Sequence, residues 1–513
     1  MRIKAPYVDG WSVRQPYAPS IWLLALILFF VLIVGTVRDT EILPHACLLA
    51  AAIIGTLCFR QLATGRDLLD FRLSAPKRLY GFFFALYSCS ALFFYTEDKM
   101  RPQDNDLFLA AIVLIGYAGW YAGMTISERR SKTANKVPSF DLHQSRALLW
   151  LCVFGGVCTA AFHLWLLSIG QFYTHAHGYA QAATVQDSIF QNFFGPFEFP
   201  VILLSGLLTG ASNRTVATRA RYFIVTYSAT LFLTQVLASE FRPALTTIVF
   251  FAASMQTAGT LKLRWRHVAI GAAALTLGLA VISGTRVVVA ANQMSNSGAS
   301  QLIESVASIK EGMQSFFSSD NTSARDATAS RAADPMEFLS DTIDAFNRGQ
   351  SHLYGAVLFS SLYGLIPRVI WPSKPALVDS QMMIEQYLGL GQHDASPNPT
   401  LFFYVDGGVL GEFILFACFG LFMGGLTRFA MNHNSVFAWM WLIWVWSTVS
   451  DVETDLVYGI LVMTRHVLFT YCIYRLFYFF TKEKFYPGVS AIGSRRNYIG
   501  FSSLQRSRRS CAE

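Results

Sequence analysis

The chain has 513 residues, of which 53% are hydrophobic and only 14% are charged, and its formal net charge is +8. This composition excludes an ordinary soluble domain of this size and indicates a protein embedded in a membrane. Most Lys and Arg residues lie in short loops beside apolar runs, so orientation in a membrane explains the positive charge better than a nucleic-acid partner does.

Twelve apolar runs predict transmembrane helices, because backbone polar groups in lipid must be satisfied within their own segment. The fold class is therefore all-α, a polytopic integral membrane protein with about 12 transmembrane helices. The predicted spans are 20–37, 44–59, 79–95, 107–127, 147–168, 193–210, 222–239, 243–260, 268–284, 401–427, 436–450 and 456–479. The side of the two termini carries 27 Lys and Arg residues against 11 on the other side, so both termini are predicted to be cytoplasmic.

These spans divide the chain into four parts. The parts are nine transmembrane helices in 1–284, a large extracytoplasmic loop in 285–400 that contains helices, three further transmembrane helices in 401–480, and a basic cytoplasmic tail in 481–513. Function is expected to concentrate in the large loop, since structureless loops of this length are uncommon in compact proteins.

Two kinds of helix are predicted inside the large loop. Asp334-Pro335-Met336-Glu337 predicts a helix start, with an N-cap, a proline at the first helical position and a capping box. An apolar stripe with helical spacing over 303–316 predicts a second amphipathic helix. The run 352–366 is apolar but too short to span, so it predicts a re-entrant or interfacial segment.

A short motif, SEFRPAL, joins the seventh and eighth spans on the predicted outer side. Pro243 suits the first position of a helix, which puts Arg242 at a helix N-terminus. Free amides, partial positive charge and a guanidinium group favour phosphate oxygens there. The alternative is that Arg242 snorkels to the interface or pairs with Glu240. Arg286, at the outer end of the ninth span, is either a second phosphate ligand or a rim anchor.

The stretch SLYGLIPRVIWPSKPAL, residues 361–377, ends the apolar run of the large loop. Its three prolines hold the chain extended or turned, which fixes Arg368 and Lys374 at the outer rim. Trp371 between them either stacks on a sugar ring or belongs to the aromatic belt at the membrane interface.

Further ionisable residues flank the large loop. Arg348 precedes His352, whose imidazole titrates near pH ~6.5 and can act as a general base, although a structural histidine is the alternative. Asp406 and Glu412 lie in the tenth span, where charges are functional candidates by default, and a buried pair of Glu412 with Arg465 is the alternative. No Cys/His spacing typical of a metal site appears, so no metal or other cofactor is expected.

The segment from Pro367 to Pro375, PRVIWPSKP, is followed by Ser396 and by a span that carries Gly411-Glu412. With these features the chain resembles Wzy-type O-antigen and exopolysaccharide repeat-unit polymerases. The stretch SEFRPALTTIVF is also similar to the arginine-bearing start of a mid-chain helix in that family. The arginine-x10-glycine motif of some members is absent, because Arg286 is followed by a glycine one residue too late.

The resemblance implies a GT-C-like fold and an inverting, metal-independent glycosyltransferase. Such an enzyme joins undecaprenyl-diphosphate-linked oligosaccharide repeat units at the outer face of the bacterial inner membrane. The implied partners are these lipid-linked glycans, membrane lipid, a flippase and a chain-length regulator. The hypothesis assigns His352 or Glu240 as the base and Arg242, Arg286 and Arg368 to the diphosphate groups of the substrates. Trp371 and Lys374 are assigned to glycan or phosphate positioning, and Arg348 is a further substrate-binding residue.

Two other functions fit the same layout. An O-antigen ligase, which transfers finished glycan onto a lipid core, shares the topology and the chemistry. A lipid-linked oligosaccharide flippase or other transporter also has twelve spans with both termini inside. Two-halves transporters usually show related repeats around a prominent central cytoplasmic connection. Here the link between the sixth and seventh spans is about eleven residues, and the large insertion follows the ninth span.

Overall fold

The computed structural model describes residues 43–62, 69–92, 105–129, 138–168, 195–238, 240–292, 322–364, 366, 371, 373, 398–450 and 456–483. Within these ranges the chain forms helices and no strand, which confirms the predicted all-α class. The first predicted span, the stripe over 303–316 and the tail beyond Glu483 lie outside the described residues.

The helices follow one another along the chain with short turns between several of them. They are α1 (Leu43–Leu62), α2 (Pro76–Phe84), α3 (Asp106–Arg129), α4 (Leu142–Ser168), α5 (Glu198–Leu208), α6 (Arg214–Leu237), α7 (Phe241–Thr257), α8 (Trp265–Asn292), α9 (Thr322–Asn347), α10 (Ala356–Gly364), α11 (Pro399–His433), α12 (Val436–Val449) and α13 (Leu456–Glu483). A π-helical turn, Ala85–Cys89, follows α2, and a 3-10 turn, Gly195–Phe197, precedes α5.

Four segments of the described helices are long and apolar enough to cross a membrane. They are Asp106–Glu128, Leu142–Ser168, Pro399–His433 and Gly459–Lys482. Shorter apolar helices accompany them at Leu49–Leu62, Gly195–Leu208, Arg266–Ile282 and Val436–Val449. These helices indicate a membrane-embedded protein, while the total of twelve spans stays a prediction.

Helices α3 and α11 form the tightest packing in the bundle. Gly119 of α3 lies against Phe413 of α11, and four residues further on Gly123 lies against Ala417, so the two helices run parallel. A Cβ atom at either glycine would overlap with the carbonyl oxygen of its neighbour. Lipid tails give helices no hydrophobic reason to associate, so small residues that allow close van der Waals packing hold this pair together.

Polar contacts divide the loops between two ends of the bundle. At the Asp70 end, Gln256 of α7 donates to the carbonyl oxygen of Leu69 (2.7 Å), and Lys77 donates to Thr125 of α3 (3.0 Å). At the opposite end, which we call the Asp406 end, Asn105 is hydrogen-bonded to Asp344 of α9. This grouping agrees with the predicted alternation of loops, in which the Asp70 end is the cytoplasmic one.

Asp70 is the centre of a charged cluster at its end of the bundle. Its carboxylate accepts hydrogen bonds from Arg72 Nε (2.8 Å) and Nη2 (2.7 Å), and a further one from Arg78. Burial alone would raise the pKa of Asp70, but the hydrogen bonds and charge of Arg72, with the charge of Arg78, outweigh burial and hold the pKa below its ordinary value. The buried charge is therefore paired twice.

The predicted helix start at Asp334 is wrong. Helix α9 begins at Thr322, and Pro335 lies inside it. The residues before the proline are rich in alanine, the best helix former, and the helix continues through the proline although one backbone hydrogen bond is lost. Leu339 and Ile343 are buried, so the apolar stripe that followed the predicted start does face the core.

Candidate functional site

The corner between α6 and α7 fixes the position of Glu240 and Arg242. Helix α7 begins at Phe241, with Glu240 as the residue before its first turn. Buried Gln235 accepts a hydrogen bond from the Thr247 hydroxyl (2.7 Å), and its carbonyl oxygen accepts the Glu240 N–H (2.8 Å). These bonds tie the end of α6 to the first turns of α7, so the corner is a rigid platform for Arg242.

Arg242 lies at the N-terminus of α7, as predicted, but it is the second helical residue because the predicted first residue, Pro243, is wrong. The helix begins two residues before Pro243, which is its third residue. A proline there still costs no hydrogen bond, because the first four N–H groups of a helix have no intrahelical partner. The half-buried Arg242 therefore stands beside backbone amides at the positive end of the helix dipole.

Tyr87 supports Arg242 from the neighbouring helix. The guanidinium carbon of Arg242 lies 5.4 Å from the centre of the Tyr87 ring, a cation–π distance. Tyr87 belongs to the π-helical turn Ala85–Cys89. Such turns are rare in proteins, and many of those that occur lie at functional sites. The extra residue in this turn rotates the following side chains relative to an α-helix. The Tyr87 ring thus orients the Arg242 guanidinium without neutralising its positive charge.

A histidine–carboxylate pair that the sequence analysis missed lies close to this corner. His163 Nε2 of α4 is 2.8 Å from Glu198 Oε1 of α5, and both side chains are more than four-fifths buried. Glu240 contributes further negative charge to the surroundings of His163. His163 lies near the end of the fifth predicted span, and Glu198 lies near the start of the sixth. One outer loop joins these two spans, so both residues had to lie at the outer end of the bundle. That was the available signal.

We call His163, Glu198, Glu240, Arg242 and Tyr87 the corner site. The two helix pairs that carry most of it, α4 with α5 and α6 with α7, meet at the Asp406 end of the bundle. The arrangement combines a cation suited to phosphate oxygens with an imidazole oriented by a carboxylate. Neighbouring side chains could thus bind an anionic leaving group and accept a proton.

His352 lies in a second cluster at the same end of the bundle. Its ring is 4.1 Å from the Phe346 ring and 5.7 Å from the Tyr404 ring, measured between centroids. The ring also covers Gly408, where the backbone of α11 leaves helical geometry at φ 63° and ψ −159°. His352 Nδ1 is buried and has no hydrogen-bond partner among the described residues. The imidazole therefore packs against rings and a break in α11.

Asp406 explains why α10 begins where it does. Its carboxylate accepts the N–H groups of Val357 (3.0 Å) and Leu358 (3.3 Å) in the first turn of α10. A carboxylate at a helix N-terminus satisfies free amides and complements the helix dipole. The predicted short segment is thus a nine-residue helix held to α11 through this acid. Asp406 has a structural reason to lie in the tenth predicted span.

The remaining predicted site residues are not brought into either cluster by any described contact. Arg348 is exposed just after α9, and exposed Trp371 has its ring 6.2 Å from the Tyr363 ring. The backbone of Arg286 belongs to the last turns of α8, and the structure does not describe its side chain. Arg368 and Lys374 lie outside the described residues. No hydrogen bond or ion pair between described residues joins the corner site to His352.

The predicted alternative of a Glu412–Arg465 pair is wrong. Glu412 is fully buried, and no basic residue and no well-formed hydrogen bond pairs its carboxyl group among the described residues, although the Thr400 hydroxyl lies near it. Arg465 is carried by α13, which packs against α12 and α4, whereas Glu412 faces α3. A Cβ at Gly116 of α3 would lie 2.5 Å from Glu412 Oε1. The glycine leaves room for the carboxylate and supplies nothing to pair with it.

The described site offers an arginine and helix amides for binding an anion. Within the described ranges no three His, Cys, Asp or Glu side chains form a group that could hold a metal ion. Arginine and helix amides are the groups on hand to neutralise an anionic substrate. Comparison of the chain with protein-family models, with curated proteins and with solved structures finds no match.

Proposed function

We propose that the chain is a polysaccharide polymerase of the bacterial inner membrane, with about 12 transmembrane helices and a GT-C-like fold. It joins undecaprenyl-diphosphate-linked oligosaccharide repeat units at the outer face of that membrane. The observation that carries the proposal is Arg242 in the first turn of α7, held by the α6–α7 corner and oriented by Tyr87. This arrangement suits phosphate oxygens, and it lies at the end of the bundle that is predicted to face outward.

The reaction needs little more than charge neutralisation and one proton transfer. An acceptor sugar hydroxyl attacks the anomeric carbon of the growing glycan from the side opposite the lipid diphosphate. The new glycosidic bond forms as the carbon–oxygen bond to the diphosphate breaks, and undecaprenyl diphosphate leaves with the electron pair. Arg242 and the free amides of α7 stabilise the charge that develops on the leaving oxygen, as a metal ion does in other enzymes.

The proton of the attacking hydroxyl requires a base within reach. The sequence proposes Glu240 or His352 for this role, and the structure adds His163. Of the two histidines, only His163 is seen against a carboxylate among the described residues, with its Nε2 atom 2.8 Å from Glu198 Oε1. A positioned base of this kind typically accelerates a reaction by about 10²–10⁴-fold. We therefore assign the base to His163, with Glu198 as its positioning partner.

The proposal is tested with purified full-length protein in lipid vesicles. The substrate is lipid-linked repeat unit extracted from the cells that make the protein, and the products are separated on a gel. We expect a ladder of lengthening glycans when the repeat unit is the only substrate. Products that appear only after a second acceptor lipid is added would identify a ligase instead. Translocation of the glycolipid across the vesicle without lengthening would identify a transporter.

Two substitutions then test the corner site. We expect Arg242→Ala to abolish the long products, while Arg264→Ala, an exposed arginine at the Asp70 end, leaves them unchanged. We expect His163→Gln to slow lengthening by at least about 100-fold. An undiminished ladder with Arg242→Ala would reject the phosphate role, and a larger loss with His352→Gln than with His163→Gln would return the base to the large loop.

The predicted orientation has its own test. Single cysteines introduced in 285–400 should react with a membrane-impermeant reagent added outside spheroplasts, and cysteines at the Asp70 end should not. The opposite pattern would put the corner site in the cytoplasm, where the proposed reaction does not occur.

A further inference from the structure

A groove of about 440 Å³ lies between α4 and α6, away from the corner site and at the other end of the same two helices. This volume is within the range of small-molecule sites, about 300–1,000 Å³. Its polar lining comes from the first turns of the helices, where Arg146 belongs to α4 and Arg219 to α6. Its apolar lining comes from the following turns, with Leu149, Val153 and Phe223.

The groove opens onto a surface that suits acyl chains. Trp150 lines it and is 57% exposed, and the same helices expose Val157 by 63%, Tyr222 by 74% and Val225 by 54%. Large apolar side chains that are exposed in contiguous stretches mark an interaction surface, and on helices predicted to span a membrane that surface faces lipid. A ligand in the groove therefore has its polar part at the membrane boundary and its apolar part along lipid-facing helix surface.

The charge of the groove selects for an anion. Among the described residues, nine line the groove, and they include two arginines and no acidic residue. Guanidinium groups match phosphate oxygens with paired N–H donors, and basic pockets between transmembrane helices on the cytoplasmic side are known to favour anionic head groups. The Asp70 end, to which the first turns of α4 and α6 belong, is the end with the excess of Lys and Arg in the sequence.

We propose that this groove is a binding site for an anionic phospholipid. Arg146 and Arg219 hold the phosphate, and an acyl chain follows the apolar lining toward Phe223. The Asn213 side chain is already committed, since it accepts the Val216 N–H (3.1 Å) and so fixes the start of α6. The part of the groove that contacts the head group is therefore already formed before lipid binds. The site is independent of the proposed polymerase activity, because it needs neither the corner site nor the large loop.

The test uses the full-length protein in a zwitterionic detergent with spin-labelled lipids. Binding is measured for phosphatidylglycerol, for phosphatidylcholine and, by competition, for inorganic phosphate. We expect phosphatidylglycerol to bind at least tenfold more tightly than phosphatidylcholine. Each of Arg146→Gln and Arg219→Gln should weaken phosphatidylglycerol about fivefold, and the double variant about 25-fold.

The matched control is Arg221→Gln. Arg221 is exposed on α6 like Arg219, but two residues further along it points to a different side of the helix and does not line the groove. An equal loss with Arg221→Gln would show diffuse surface charge and overturn the site. Competition by inorganic phosphate as strong as by phosphatidylglycerol would overturn the assignment to lipid. Val153→Trp, which fills the apolar part, should weaken the lipid while the protein stays monodisperse, and unchanged binding would remove the acyl chain from the groove.

Discussion

Two carboxylates on the same helix show how differently this bundle treats a buried acid. Asp406 and Glu412 are six residues apart on α11, and they are 4% and 0% exposed. Asp406 accepts two backbone N–H groups at the start of α10. Glu412, against the glycine surface of α3, has no well-formed hydrogen bond among the described residues, and the Thr400 hydroxyl lies near it.

The difference teaches that partners, more than depth, decide whether a buried acid supports a fold. An anion at a helix N-terminus gains from free amides and from the helix dipole, so Asp406 repays its desolvation. A carboxylate with no partner in an apolar interior has no such compensation. The fold accounts for Asp406 and leaves Glu412 unexplained, which makes Glu412 a functional candidate.

The largest expected effect comes from a substitution that separates α3 from α11, the helix that carries Asp406 and Glu412. Gly123→Ala places a Cβ on the carbonyl oxygen of Ala417, so α3 and α11 must separate. We expect a loss of about 3 kcal/mol in the free energy of unfolding, or no folded protein. Thermal unfolding in detergent and gel filtration measure the effect.

The matched control for that substitution is Gly425→Ala on α11. A Cβ at Gly425 meets nothing within 4 Å, and alanine is the better helix former. We expect no loss of stability there. Equal effects at the two glycines would show that α3 and α11 are not held by close backbone packing.

The next largest effect concerns Asp406. Asp406→Ala removes the acceptor for Val357 and Leu358, so we expect α10 to fray and the free energy of unfolding to fall by about 2 kcal/mol. Asp406→Asn keeps one acceptor oxygen and should lose about half as much. Hydrogen exchange at the first amides of α10 reports the change locally. Unaltered exchange in Asp406→Ala would mean that the acid does not anchor this helix.

Asp70 extends the comparison to a paired acid outside the spanning segments. We expect Asp70→Asn to lower stability by about 1.5 kcal/mol at neutral pH, because hydrogen bonds to charged groups are the strong ones. The pKa of Asp70 is lowered in the folded protein, so its contribution is fully present above its ordinary value of 3.8 and is lost progressively as the pH falls from there through the lowered pKa of the folded state. Wild type and variant should therefore converge in melting temperature below about pH 4. A constant difference down to pH 3 would contradict the pairing with Arg72 and Arg78.

The sequence predicted those features of the fold that follow from hydropathy and helix chemistry. Long apolar runs predicted the helices, and the SEFRPAL motif predicted Arg242 at a helix N-terminus. The Asp334 start failed because an alanine-rich stretch outweighed one proline. Partner choice was the other failure, since the Glu412–Arg465 hypothesis matched charges without knowing which helices touch. The His163–Glu198 pair was missed for the same reason, as contacts between helices depend on how they pack.

The smallest expected effect sharpens the contrast between the two acids. Glu412→Gln makes the same chemical change as Asp406→Asn, an amide in place of a carboxyl group, but it removes no hydrogen bond that the described residues make. We expect its free energy of unfolding to stay within about 0.5 kcal/mol of wild type, since the amide has nearly the same size and shape as the carboxyl group it replaces. Thermal unfolding of the two variants side by side measures the contrast. Equal losses would show that Glu412 has a stabilising partner after all, whereas a neutral result leaves activity as the reason for an acid at this depth.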